Sequence, residues 1–368
     1  MVRMSDIFKK IEESKKIENL GPQKLSPDKG VIPPASVVKP VLPEETKTTA
    51  SEIKAEAEAG DVYVCHNPAS ESDNTAATEC EKLYVDARTL MKELLREDAV
   101  YELVDTLRIP ALIERFIDLA KAHPQKMTAL ALDADSCHEI AYVYCHSVNV
   151  TILTILLGQE LGYDHEQLKD LGVAALLHDI GMVHYLDIIS QPRKLTKEEF
   201  EKIRNHTIFG TKVLSSLRGI KEIVFTVARQ HHEHLDGTGY PEGLKADAIH
   251  EYSKILCVVN IYEAMMHRRS WRTEFQAMET MQEILKHKTA YDPKIVKVLI
   301  SKIGIFPIGS LVELNTKEIA RVIKLNCDNV LRPVVKIIRE SNGDEARETK
   351  IIDLSTEHAI WIKHVDQE

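Results

Sequence analysis

Aromatic side chains are scarce in this sequence: Phe, Trp and Tyr make up 5% of 368 residues, while apolar residues in all make up 44%. Such a core must be packed from Leu, Ile and Val, which suits a helical domain. A basic surplus is also missing. The formal charge of −10 argues against a general binder of polymeric nucleic acid, which needs a broad basic surface. A small phosphate ligand needs only a local basic pocket. No apolar run approaches the roughly 18 residues of a membrane span, and the longest, Val148 to Leu157, is interrupted by Asn149 and Thr151. The N-terminus, from Met1 to Lys10, has no apolar centre of the kind a signal peptide carries. Six cysteines show no CxxC spacing and no disulfide density, so reduced thiols in a cytoplasmic protein are the expectation.

Large apolar residues are rare over residues 1–75, where Pro, Glu, Lys, Thr and Ala dominate. That stretch cannot bury enough surface to offset its ordering entropy and reads as a disordered tail or linker. Ile7, Phe8 and Ile11 share a helical face, which leaves docking on a protein partner open. Over 76–123 Leu83, Leu90, Leu94 and Leu95 recur at helical turns, and Leu107-Arg-Ile-Pro breaks the pattern before a second helical stretch. We read this as a helical lead-in. Residues 124–304 are all helix. Leu168, Leu171, Ala175 and Leu176 form a stripe running into His178. Thr196 and Glu199 have capping-box spacing, flanked by Leu195 and Phe200 as a hydrophobic staple, on a helix expected to carry His206. Asp292-Pro293 is an N-cap followed by proline at the first helical position. Over 305–368 apolar and polar residues alternate and β-branched side chains are frequent, with Asn342-Gly343 as a hairpin turn. A small β-module of about five short strands is expected.

The chemistry lies in the middle segment. His178-Asp179 is followed by His231-His232-Glu233 and by Asp236-Gly-Thr-Gly-Tyr-Pro; His146 sits in an apolar run and His206 in Ile203-Arg-Asn-His-Thr. Neighbouring residues on a helix point about 100° apart, so an adjacent His-Asp or His-His pair rarely serves one tetrahedral ion. Two such pairs suit two ions side by side, the usual arrangement for cleaving a phosphate ester. Five histidines and one carboxylate that can bridge, with no thiolate, favour two divalent transition-metal ions, iron or manganese, over structural zinc. A water shared by two such ions loses a proton readily and becomes the nucleophile, a bridging hydroxide.

In their order, His178-Asp-Ile-Gly, Lys194-Leu-Thr-Lys-Glu-Glu-Phe, His206, His231-His-Glu, Asp236-Gly-Thr-Gly-Tyr-Pro and Tyr262-Glu-Ala-Met-Met-His-Arg-Arg-Ser-Trp-Arg resemble the HD-GYP family, metal-dependent phosphodiesterases of cyclic di-GMP. The resemblance covers residues 124–304. It implies a mainly α fold, an all-helical HD-type metal-hydrolase domain with the small C-terminal β-module appended. It also implies that His146, His178, Asp179, His206, His231 and His232 are metal ligands, with His178 and Asp179 central to catalysis. Gly239, Tyr240 and Pro241 would shape the substrate pocket, and Arg269 and Arg272 would face the phosphates of cyclic di-GMP, with pGpG or GMP as product. Thr273 and Gln276 have capping-box spacing, so a helix starting after Arg272 would add free N–H groups to that anion site.

Three positions depart from the family. Met182 stands where the best-known members have lysine, and reads as a packing residue. Asn260 stands at the family's late metal-binding aspartate and offers a neutral carbonyl oxygen without charge. Glu263, one turn later on nearly the same face, either reaches into the site or is an ordinary helix glutamate, and the second reading is preferred. Tyr142, one turn before His146, stands where members holding a third metal carry glutamate. Asn260 supports a rival reading, a catalytically impaired regulator that binds a cyclic dinucleotide or a protein. A third reading is an HD hydrolase of another nucleotide.

Overall fold

The computed structural model describes residues 71–95, 108–133 and 142–365, apart from 192, 218, 268–276, 327–328 and 347. The expected tail and its Ile7, Phe8 and Ile11 lie outside the described residues. Twelve α-helices and five strands follow one another along the described residues. At their centre is α4 (Tyr142–Glu160), preceded by α1 (Glu71–Leu94), α2 (Arg108–Ala122) and α3 (Pro124–Leu132). Helix α4 has no polar face. Sixteen of its residues are buried, including His146, Asn149, Thr151 and Thr154, as expected for a helix wrapped by neighbours on every side. It packs against all three preceding helices, and against α5 (His165–Leu177), α10 (Glu251–Met266) and α12 (Pro293–Ile303).

Local chemistry explains where the helices begin. Asp164 and Gln167 close a reciprocal capping box at the start of α5, and Thr196 and Glu199 do the same for α7 (Lys197–Ile203). Asp292 caps α12 ahead of Pro293, as the sequence implies. Each cap satisfies N–H groups that would otherwise lack an acceptor. Between α5 and α7 run a 3₁₀ turn (Ile180–Tyr185) and the short α6 (Leu186–Ile189); after α7 come α8 (His206–Ser216) and α9 (Glu222–Gln230), and α11 (Ala277–Lys286) lies between α10 and α12. The stretch His165–Ile189 is long and apolar enough by composition to cross a membrane, but it is interrupted by the 3₁₀ turn and its apolar part is mostly buried in the fold. It is a core segment.

The C-terminal module is an antiparallel sheet of β1 (Leu311–Leu314), β2 (Ile319–Lys324), β3 (Val334–Arg339), β4 (Ile351–Asp353) and β5 (Ile362–Val365), in the order β4-β3-β2-β1-β5. Val312, Leu314, Ala320, Val322, Val335 and Ile337 point inward at alternate positions and share one core with the helices, so the two halves are packed together. Gly343 takes the positive φ that the Asn342-Gly343 turn requires. Cys80 and Cys257 are free and buried, but Cys145 is disulfide-bonded. The all-thiol expectation is corrected there: spacing along the chain does not report which sulfurs the fold brings together.

A close backbone approach lies between the 3₁₀ turn and α8. A Cβ placed on Gly181 would sit 2.0 Å from the His206 carbonyl oxygen and 2.6 Å from the Gly210 nitrogen. Both obstacles are backbone, so neither can rotate away. Gly181→Ala is therefore expected to lower stability by about 1–3 kcal/mol, the usual range for overpacking, as read from urea unfolding. An unchanged midpoint would mean that these two backbones are further apart.

Candidate metal centre

His178 is the residue at which α5 ends, and Asp179 begins the 3₁₀ turn beside it. His231 ends α9 in the same way. The sequence places His206 on the capped helix α7; instead α7 stops at Ile203 and His206 opens α8. The break at Arg204 and Asn205 turns the chain, and Gly181 lets α8 come close enough for His206 to face Asp179.

These histidines share one arrangement. The Nδ1 of His178 donates to the Ala175 carbonyl at 2.7 Å, that of His206 to Ile203 at 2.8 Å, and that of His231 to Ala228 at 2.9 Å. Each acceptor belongs to the last turn of a helix, where carbonyls lack an intrahelical partner. With the proton fixed on Nδ1, the Nε2 lone pair is left to face inward. His146 lies in mid-helix, where the backbone carbonyls are already used. Its Nδ1 is held by the Glu263 carboxylate of α10.

All four Nε2 atoms converge on Asp179. His206 and His231 approach Oδ1 at 3.2 and 3.4 Å; His146 and His178 approach Oδ2 at 3.6 and 3.5 Å. His232 joins the Oδ1 side, which gives two groups of potential ligand atoms with Asp179 in both. Donors about 2.1 Å from a common ion lie about 3.0–3.4 Å from one another, close to these separations. The Nε2 atoms of His206 and His231 stand 3.2 Å apart, two lone pairs facing each other once Nδ1 holds the proton. His178 Nε2 and Asp179 Oδ1 are buried with no hydrogen-bond partner. Such a set of inward lone pairs fits divalent cations.

Burial pushes His178 down to about 3 and lowers His231 and His232 as well, which keeps these imidazoles neutral and ready to coordinate.

The Gly-Tyr-Pro loop lies over the Oδ1 side. Tyr240 stacks on His232 with ring centroids 4.6 Å apart, and the Arg204 guanidinium sits over its outer face at 4.4 Å. Gly239 passes so close to Glu233 and His234 that a Cβ would come within 2.5 Å of their backbone. Pro241 follows through a cis peptide bond. Glu233 is buried and accepts from the Glu242 and Leu244 N–H groups at 2.7 and 2.8 Å, so the residue after the His pair ties the loop down. Asn260 is buried on α10. Met182 is half-buried against the core, in keeping with a packing role. Arg269 and Arg272, with the Thr273 and Gln276 capping pair, lie outside the described residues.

The sequence reads Glu263 as an ordinary helix glutamate, and the structure corrects that. It is 1% exposed, receives Asn149 Nδ2 at 2.9 Å, lies with Oε1 3.1 Å from His267 Nδ1, which donates to the Glu263 backbone carbonyl, and holds His146 from behind. It belongs to neither ligand group. Its position one turn after Asn260 places it near the site, but its role depends on α4, which lies more than a hundred residues away in sequence.

Known proteins resemble this chain in sequence and in fold. The HD domain family model matches residues 111–295, and a model described as a KOW domain associated with HD domain matches 311–368. A protein of Pseudomonas aeruginosa named as a cyclic di-GMP phosphodiesterase is 27% identical over 314 residues, covering 85% of this chain and 74% of its own length. A second with that activity in its name, from Borreliella burgdorferi, is 32% identical over 60% of this chain and 56% of its own length. In fold, a Bdellovibrio bacteriovorus protein described as HDG"Y"P aligns with a TM-score of 0.51 at 18% identity, over 61% of this chain and 71% of that one. The chain belongs to the HD domain family.

Proposed function

We propose that the protein is a metal-dependent phosphodiesterase that hydrolyses cyclic di-GMP to pGpG, GMP or both. The observation that carries this reading is the division of the Asp179 oxygens between two groups of imidazole nitrogens. His146 and His178 would hold one cation, His206, His231 and His232 the other, with Asp179 bridging and Asn260 offering a neutral oxygen. Two bound cations supply Lewis acidity to a phosphate and acidify a water for in-line attack. The chain's part is to orient. Tyr240, fixed between His232 and Arg204, walls the pocket at the Oδ1 side, and Arg269 and Arg272 would hold the phosphates. Relatives in Vibrio cholerae are named as specific for 3′3′-cGAMP; the two relatives that cover most of this chain carry cyclic di-GMP in their names, which favours that substrate.

Anaerobic purification is expected to yield about two iron or manganese ions per chain, with cyclic di-GMP converted to linear products on chromatography. Asp179→Asn should lose both metal and turnover. A reconstituted protein with only trace metal would remove the enzymatic reading. Full metal without cleavage would leave the regulator that Asn260 suggests.

The arginines give a separate outcome. Alanine at both Arg269 and Arg272 should weaken cyclic di-GMP binding by about 1.5–3 kcal/mol for each charge-assisted hydrogen bond removed, with metal content unchanged. Wild-type affinity in the double variant would make them surface charge only.

Asn260 lowers the anionic charge of the site by one relative to the family. Asn260→Asp is therefore expected to retain more metal and to cleave faster when metal is limiting. A titration of metal into both apo proteins, followed by turnover, checks this. Equal retention and equal rates would place Asn260 away from the ions.

A further inference from the structure

Of the four histidines that turn Nε2 toward Asp179, His146 alone has its Nδ1 held by a side chain. Its orientation therefore depends on what fixes that side chain. Glu263 Oε1 receives Asn149 Nδ2 at 2.9 Å. Asn149 lies one turn after His146 on α4, and its Oδ1 accepts from the Tyr84 hydroxyl at 2.8 Å. Tyr84, Asn149 and Glu263 are all buried. The two hydrogen bonds also fix the amide: Oδ1 must face the hydroxyl and Nδ2 the carboxylate. Tyr84 belongs to α1, the lead-in helix, and lies before residue 111, where the HD family match begins.

We propose that Glu263, fixed by Asn149 and Tyr84, is a positioning residue for His146, and that this chain of hydrogen bonds makes helix α1 a working part of the metal centre. The inference rests on the metal-centre reading above and extends it to a helix outside the family's matched segment. A carboxylate behind an imidazole fixes the tautomer and raises the basicity of Nε2, and losing such a partner typically weakens metal affinity by about 10–100-fold. The effect should fall on one side of the centre. His146 belongs with His178 on the Oδ2 side, while His206, His231 and His232 take their support from helix-end carbonyls and the Tyr240 loop. Any displacement of α1 that breaks the Tyr84 hydrogen bond would then loosen one cation and spare the other.

The test uses the full chain stripped of metal and titrated with manganese alone, with free ion followed by electron paramagnetic resonance. Glu263→Gln is expected to weaken one of two binding steps by about 10–100-fold, and Tyr84→Phe to weaken the same step by less. The second step should stay at its wild-type value. Leu83→Ala, which loosens buried packing on α1 without touching the chain of hydrogen bonds, should lower thermal stability and leave both steps in place. If Glu263→Gln does not fold, Tyr84→Phe, which removes a single oxygen, decides alone. Wild-type binding in the variants, equal weakening of both steps, or the same loss in Leu83→Ala would overturn the proposal. A parent protein that takes up no manganese would instead overturn the metal-centre reading, and this inference with it.

Discussion

Four imidazole nitrogens face a single buried carboxylate, and the arrangement of the helices follows from keeping them there. Asp179 divides its oxygens between His206 and His231 on one side and His146 and His178 on the other. Left without cations, this cluster is unfavourable. Lone pairs face lone pairs, and Nε2 of His178 has no hydrogen bond in a fully buried position. Buried polar atoms without partners are costly, so the fold must supply the energy to hold them. Continuous apolar packing around α4 and α5 does so.

Each histidine facing Asp179 is oriented by whatever acceptor its place in a helix leaves free. At helix ends the last carbonyls are unsatisfied, and His178, His206 and His231 donate to them. One hydrogen bond thus caps the helix and sets the imidazole's tautomer. In mid-helix no such carbonyl is free, and His146 turns to Glu263. The centre therefore has two kinds of support. One is local to each histidine's own segment. The other crosses from α1 through α4 to α10, so it depends on how distant helices are docked.

Close packing sets the remaining geometry. The HD turn carries Gly181 because α8 passes over it with no room for a side chain, and that approach delivers His206. The loop over the Oδ1 side carries Gly239 for the same reason, and Glu233 beneath it binds two loop N–H groups. Tyr240 is left with one ring face on His232 and the other under Arg204.

Much of this is legible in the sequence. The capping residues Thr196, Glu199 and Asp292, the stripe leading into His178, and the alternation in the β-module are local patterns, and local hydrogen bonding and side-chain periodicity decide them. The His and Asp types and their order are enough to expect two ions. Three things are not legible. His206 opens α8 rather than riding on α7, since the helix breaks at Arg204 and Asn205 and α8 packs against the distant 3₁₀ turn. Cys145 is disulfide-bonded, which spacing does not indicate. Glu263 looks like any helix glutamate, yet it is buried against a histidine 117 positions away. The sequence by itself determined which groups could bind metal and where the capped helices α7 and α12 begin. Only the tertiary structure decided which oxygen of Asp179 faces which histidine and what holds each imidazole from behind. Those interactions act across space between segments far apart in the chain, and they exist only once burial has removed the water that would otherwise take their place.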